Sequence, residues 1–258
     1  MINLLGNLKS KLKSSFSSSK YQPIIYSNDK FLISYPKSGN TWVRFIIANL
    51  LKEEGETIDF HSAIHYVPEI GSHDQVIKKM SSPRIIKSHS LYQEAFKNVI
   101  YIVRDPRDVY VSYFHYLKKQ LPEEMTFSQF LRKTDIYPSR WHTHVESWLG
   151  QSNVSLVIKY EDLLHDTYQE TKKITDLLFE NYLESSKIEA AITASSFKQM
   201  KKIEQEKGRP FLNEDSKSKA TTFVRKGAQG DWTNYFSQDD EQFLLDEAGE
   251  IMEHLGYI

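Results

Sequence analysis

The sequence predicts an α/β fold: a single domain with a central, mostly parallel sheet flanked by helices on both faces. Short apolar runs rich in Ile, Val, Leu, Phe and Tyr alternate along the chain with stretches whose apolar residues recur at helical spacing. Continuous apolar runs belong to strands buried on both faces, and strands separated by helices pair in parallel. The scale fits as well: 258 residues with 40% hydrophobic and 26% charged side chains suffice for one substantial core.

In chain order, residues 1–20 stand apart, with four lysines, six serines and no acid. Leu5, Leu8, Leu12 and Phe16 share one helical face. Two readings stay open: a leader whose apolar face packs on the domain, and a basic amphipathic helix touching an anionic membrane surface. The domain proper is expected over residues 21–258. Residues 31–35 read as a first buried strand, followed by a helix over 40–52 through Val43, Ile46, Ile47, Leu50 and Leu51. Residues 84–87 and 99–103 read as two further strands. Pro106 suits the first turn of a helix running to about 119. A fourth strand is expected at 154–160, with helices at 167–181, 186–194 and 238–255. Ser186 and Glu189 have the spacing of a capping box. Residues 205–222 are polar and long for a loop inside a compact domain, so a mobile lid is expected there. The last helix carries seven acids and no base between Asp239 and Glu253, which reads as a solvated face.

Composition excludes several function classes. Without cysteine there is no disulfide scaffold, thiolate zinc site or thiol nucleophile, and a reducing, cytoplasmic setting fits. Residues 45–51, the longest apolar stretch, contain Asn49 and fall far short of the ~20 residues of a membrane span. Lys9, Lys11 and Lys13 interrupt what would be the core of a secretory signal. A net charge of −1 argues against a nucleic-acid partner, so any basic site must be local. His61 with His65 and His142 with His144 have spacings a metal could use, but no third ligand is evident, and no metal is expected.

Three segments carry chemistry. In Tyr35-Pro-Lys-Ser-Gly-Asn-Thr-Trp42 a buried strand enters a turn and a helix follows at once. Unpaired amides at a helix start attract an anion. Gly39 allows close backbone approach, Lys37 adds a full charge, and Ser38 and Thr41 add hydroxyls. This strand–loop–helix is P-loop-like but is not the G-x-x-x-x-G-K-[ST] pattern, because the lysine precedes the glycine. In the second segment Arg104 ends a strand, and Ser112 lies two helical turns beyond Pro106. A guanidinium can grip two phosphate oxygens at once; the competing reading is a surface Arg104–Asp108 pair. The third, Arg225-Lys-Gly-Ala-Gln-Gly-Asp-Trp232, suits phosphate or is simply a basic turn.

Taken together and in this order, the three segments resemble the sulfotransferase family that uses 3′-phosphoadenosine 5′-phosphosulfate (PAPS), its cytosolic type most of all. The patterns Y-P-K-S-G-[T/N]-T-W, strand-end Arg with Ser eight residues on, and R-K-G-x-x-G-D-W are met within about residues 29–257. The resemblance implies that Lys37, Ser38, Gly39, Asn40 and Thr41 bind the 5′-phosphosulfate, and that Trp42 stacks on the adenine. It assigns the 3′-phosphate to Arg104, Ser112, Arg225, Lys226 and Gly227. Tyr160 aligns with an adenine-contacting tyrosine, and Ser195, Phe197 and Met200 with a further nucleotide-binding stretch. Ile85-Ile-Lys-Ser-His89 resembles the family's strand-end K-[T/S]-H, making His89 the general base and Lys87 a holder of the transferring sulfonate. Lys37 would stabilise the leaving oxygen. The product would be adenosine 3′,5′-bisphosphate (PAP), with no metal required.

The acceptor stays open among small molecules, sugars and lipid headgroups; the aromatic candidates Tyr66, Tyr113, Phe114, Tyr116 and Trp141 would serve a core equally well. The family's dimer motif K-x-x-x-T-V-x-x-x-E is poorly matched by Thr233, Ser237, Gln238 and Gln242, leaving the oligomeric state open. Two rivals remain: a kinase with a variant phosphate loop, needing Mg²⁺ and ATP, and a catalytically silent nucleotide-binding module.

Overall fold

The computed structural model describes residues 23–179, 182–210 and 226–258. Four parallel strands form the sheet: β1 (Lys30–Ser34), β2 (Ile85–Ser88), β3 (Val99–Val103) and β4 (Val154–Lys159), in the order β2-β1-β3-β4. The chain leaves β1 for β2 on one side and returns to β3 on the other. The carboxyl ends of β1 and β3 therefore border the point where the winding reverses, the usual ligand crevice of an α/β sheet.

Alternate residues of the central strands feed two cores. Phe31 and Ile33 of β1 and Val99, Tyr101 and Val103 of β3 pack with Tyr110, Phe130, Trp141, Trp148 and Met252. Leu32, Ile100 and Ile102 point the other way, onto Val43, Ile47, Leu163 and Ile174. Burial on both faces is why these strands read as continuous apolar runs.

Helix α1 (Asn40–Leu51) follows β1 directly. Short helices α2 (Ala63–Tyr66) and α3 (Asp74–Lys79) lead to β2. Between them Pro68–Ile70 runs alongside the outer edge of β2: the Lys87 amide donates to Pro68 O at 2.8 Å, and the Ile70 amide to Lys87 O at 3.0 Å. Helix α4 (Pro106–Leu117) has Pro106 in its first turn and Asp105 as its cap. Then come α5 (Phe127–Leu131), α6 (Trp141–Trp148), β4, α7 (Tyr160–His165), α8 (Thr167–Leu178), α9 (Ser185–Ala194) and α10 (Phe197–Lys207). A 3₁₀ turn at Asp231–Asn234 precedes α11 (Gln238–His254).

Several expectations need correction. The strand expected at 84–87 lies one residue later because Arg84 is taken up by Asp29, at 2.5 Å and almost wholly buried. Tyr160 opens α7 and does not end β4. The helices expected to reach 119 and 181 stop at Leu117 and Leu178. Ser186 and Glu189 form no capping box: α9 starts at Ser185, and Ser186 Oγ donates to Glu184 at 3.5 Å. The capping boxes observed are Thr126–Gln129 and Ser237–Asp240. Residues 205–207 belong to α10, which ends at Lys207 with Gly208 as its cap. The expectations for residues 1–20, for 211–222 and for Arg225 lie outside the described residues. Among those described, no helix is long and apolar enough to cross a membrane.

Candidate active site

Each strand delivers one element of the site at its carboxyl end: the 35–40 loop after β1, His89 after β2, Arg104 after β3 and Tyr160 after β4. The 35–40 loop is built around two left-handed residues, Lys37 (φ 72) and Gly39 (φ 100). That conformation is unfavourable for a lysine and persists where surrounding structure enforces it. A Cβ on Gly39 would lie 2.5 Å from Tyr160 Cδ2, so the ring rests directly on the loop. No side chain caps α1, which leaves its first amides without a partner from a capping side chain. Ser38 Oγ is buried with no hydrogen-bond partner. Asn40 turns its amide back into the fold, donating to Leu32 O at 3.3 Å and Ser34 Oγ at 3.1 Å. Its side chain braces the loop and does not reach out of it.

Arg104 ties this loop to the 226–230 segment. Its guanidinium donates to Lys37 O at 3.2 Å and Ala228 O at 3.1 Å, and it lies 4.4 Å over the Tyr160 ring. Asp108 is 3.8 Å away, yet both groups are buried, so this is no surface pair. Asp108 instead accepts from the amides of Gly230 and Trp232 at 2.7 and 3.0 Å, anchoring the third segment to α4. Arg104 Nε is buried without a partner. Lys37 lies 4.5 Å over the Tyr116 ring. Burial, reinforced by the charges of Arg209 and Arg104, pushes its ammonium well below the ordinary lysine range. A bound anion would reverse that shift.

The other assigned residues are placed as follows. The Trp42 and Tyr160 rings meet edge-on with centroids 6.0 Å apart. Trp42 also packs on the apolar clusters beneath α1, so it belongs to core and cleft alike. Thr41 is half-buried beside it. Phe197 is 37% exposed, and a Cβ on Gly227 would come 2.5 Å from its ring. These two residues form one surface, as Gly39 and Tyr160 do. Met200 is a core residue packed with Phe45, Phe60 and Trp42. Ser195 is wholly buried and accepts from Asn49 at 3.2 Å, a structural contact. Lys226 pairs with Asp231 at 2.5 Å. Ser112 is half-buried on α4.

On the β2 side, His89 Nδ1 lies 2.6 Å from Ser34 O. A carbonyl only accepts, so Nδ1 carries the hydrogen and Nε2 keeps its lone pair. Burial, strengthened by the charge of Lys87, lowers the imidazole pKa to about 3, well under the ordinary histidine value. Lys87 is paired with Glu69 at 2.8 Å. Burial opposes ionisation of Glu69, but Lys87 and His89 outweigh it and hold the carboxyl at about 2.

Sequence reasoning missed Glu69, Arg44 and Arg209, none of which sits in a motif. Glu69 enters through the non-local pairing of Pro68–Ile70 with β2. Of the aromatic candidates, Tyr113, Phe114 and Trp141 are core residues, and Tyr66 is hydrogen-bonded to Glu56. Only Tyr116, 41% exposed, stands at the site. His142 and His144 have other partners: His144 is hydrogen-bonded to the Tyr101 hydroxyl at 2.9 Å, and His142 faces Glu247 at 3.9 Å.

A parallel sheet thus carries the 35–40 loop, a neutral histidine and a buried arginine along one edge, and comparison with known proteins gives this arrangement a family. The sulfotransferase domain model matches residues 27–256, and the chain belongs to that family. Sulfotransferase 2A6 of Mus musculus is 31% identical over 233 residues, covering 83% of this chain and 80% of its own. Sulfotransferase 1A1 of Bos taurus is 28% identical, with coverages of 82% and 79%. The crystal structure of mouse sulfotransferase SULT7A1 complexed with PAP superposes with a TM-score of 0.67 at 28% identity, covering 98% of this chain and 90% of that one. Retinol dehydratase, in a complex with retinol and PAP, shares the fold at TM-score 0.69 and 19% identity.

Proposed function

We propose that this sulfotransferase moves a sulfuryl group from PAPS to a hydroxyl or amine of a small-molecule acceptor, by in-line transfer with His89 as general base. The observation that carries the reading is the shared edge of the sheet, where the strand ends bring the 35–40 loop, His89 and Arg104 together. The residues present suit the donor. Ser38 Oγ and Arg104 Nε are buried donors awaiting an acceptor, and Gly39 is kept bare of a Cβ.

The donor would supply an activated sulfuryl group on a phosphate leaving group. The α1 amides, Lys37 and Ser38 would hold the 5′ end, and Arg104, Ser112, Arg225, Lys226 and Gly227 the 3′-phosphate. Tyr160, Trp42 and Phe197 would bound the adenine side, with Met200 in the core that backs Trp42. His89 Nε2, unprotonated at neutral pH, takes the proton of the attacking hydroxyl. Lys87 and Lys37 offset charge that moves from the acceptor to the leaving oxygen. Positioning and fixed charge do this work without a metal. A kinase activity is not favoured. A cytoplasmic setting accompanies the reading, in line with the cysteine-free sequence.

The test is a transfer assay. Purified protein with PAPS and a panel of phenols, steroid alcohols and sugars should release PAP in step with a sulfated product, without added metal. No PAP release with any acceptor, together with ATP-dependent transfer, would refute the reading.

A further inference from the structure

Arg44 is a cation to which the donor site assigns no task. It lies on α1 two residues past Trp42, about 200° round the helix. Trp42 leans toward Tyr160 at the end of β4. Arg44 is turned to the opposite flank, within electrostatic reach of Glu69, Lys87 and His73. Its Nε and Nη2 are buried and have no hydrogen-bond partner. The neighbouring carboxylate does not satisfy them, because Glu69 is engaged with Lys87 at 2.8 Å. A second guanidinium, Arg209, stacks on Phe60 at 5.6 Å and acts on Arg44, Lys37 and Lys87 alike. Even with Glu204, which acts on Lys37 and Arg209, cations outnumber carboxylates on this side of the cleft. Burial and the repulsion of Arg209 bring Arg44 to about 10 against the pull of Glu69, so it stays charged at neutral pH.

A buried guanidinium fork with open donors is suited to an oxyanion held by two parallel hydrogen bonds. The groups proposed for the donor phosphates, Lys37, the α1 start and Arg104, lie toward β1 and β3. Arg44 borders the Lys87–His89 side, where an acceptor must present its hydroxyl. Resting on the sulfuryl-transfer reading, we propose that Arg44 determines specificity by binding an anionic group of the acceptor. The substrate is then a hydroxyl compound that also carries a carboxylate, phosphate or sulfate.

The test is calorimetry on protein saturated with PAP. The probes are 3- and 4-hydroxybenzoate and 3- and 4-hydroxyphenyl phosphate, each against the neutral hydroxybenzamide of the same pattern. At least one anionic probe should bind roughly 10- to 100-fold tighter than its neutral partner, the worth of a charge-assisted pair shielded from water. The carboxylate and phosphate arms separate the two anion classes. Arg44→Gln should abolish the preference and leave both PAP affinity and neutral-probe affinity within about twofold, while Arg44→Lys should keep part of it. The wild-type comparison needs no variant to fold. A PAP-binding protein without anion preference, or a preference surviving in Arg44→Gln, would overturn the inference alone. Loss of PAP affinity in Arg44→Gln would also overturn it, assigning Arg44 to the donor. Failure of the wild type to bind PAP would remove the underlying reading as well.

Discussion

His89 Nδ1 lies 2.6 Å from the carbonyl oxygen of Ser34, the last residue of β1. This bond joins the carboxyl ends of two neighbouring strands and sets the proton on Nδ1. Ser34 also receives the Asn40 amide, at 3.1 Å through Oγ. The residue that orients the His89 ring is thus braced by the first residue of the helix behind the 35–40 loop. Through Ser34 the His89 ring and the 35–40 loop are held in one mutual position.

His89→Ala should retain PAP affinity and lose about 10²–10⁴-fold in turnover, the usual contribution of a general base. Single-turnover sulfation alongside PAP titration checks this, and near-normal turnover would refute the assignment. The pH profile follows from the same group. A lowered pKa leaves His89 unprotonated until the pH approaches about 3. The kcat/KM profile should therefore show no acid limb near the ordinary histidine value of ~6.5. A limb centred there would contradict the burial of His89.

Arg104→Ala should weaken PAP on the order of 10- to 100-fold and weaken adenosine 5′-monophosphate much less. Because Arg104 also bridges Lys37 O and Ala228 O, some loss for both nucleotides is expected. Equal loss for the two would remove Arg104 from the 3′-phosphate. Parallel titrations of the variant with each nucleotide decide.

Gly39→Ala places a methyl 2.5 Å from the Tyr160 ring at a left-handed φ. Strain and clash together should cost about 1–3 kcal/mol in stability and displace Tyr160 from the loop. Denaturant unfolding should show that loss, with nucleotide affinity falling alongside it. Unchanged stability and affinity would mean the contact is dispensable.

Glu69→Gln leaves the Lys87 ammonium, whose side chain is 9% exposed, without its counter-charge. Breaking such a pair typically costs about 3–5 kcal/mol. The carboxyl titrates near 2 in the fold against an ordinary 4.5. A depressed carboxyl contributes stability that is complete above 4.5 and lost as pH falls toward 2. Unfolding curves of the wild type should show that loss across the window, and those of Glu69→Gln a shallower one.

The fold was legible where apolar runs were buried on both faces. All four strands and the helices at 40–51, 106–117 and 238–254 announce themselves in the sequence. Helices α2, α3, α5, α6, α7 and α10 did not, being short or shaped by tertiary packing more than by their own periodicity. The local motifs placed Lys37, Arg104 and His89 at strand ends. They could not reveal Glu69, which meets Lys87 only because Pro68–Ile70 lies along β2, nor Arg44, whose meaning depends on what surrounds it. Asn40 and Ser195 show the converse. Their motif positions suggested ligand contacts, yet the fold turns their side chains inward.

The central claim, a donor site that reads a 3′-phosphate, is tested most directly by calorimetry of the wild type with PAP and with adenosine 5′-monophosphate, in the absence of metal. The arrangement of Arg104 and the 35–40 loop predicts a preference for PAP on the order of 10- to 100-fold or more. Equal affinity for the two nucleotides, or no binding of either, would contradict it.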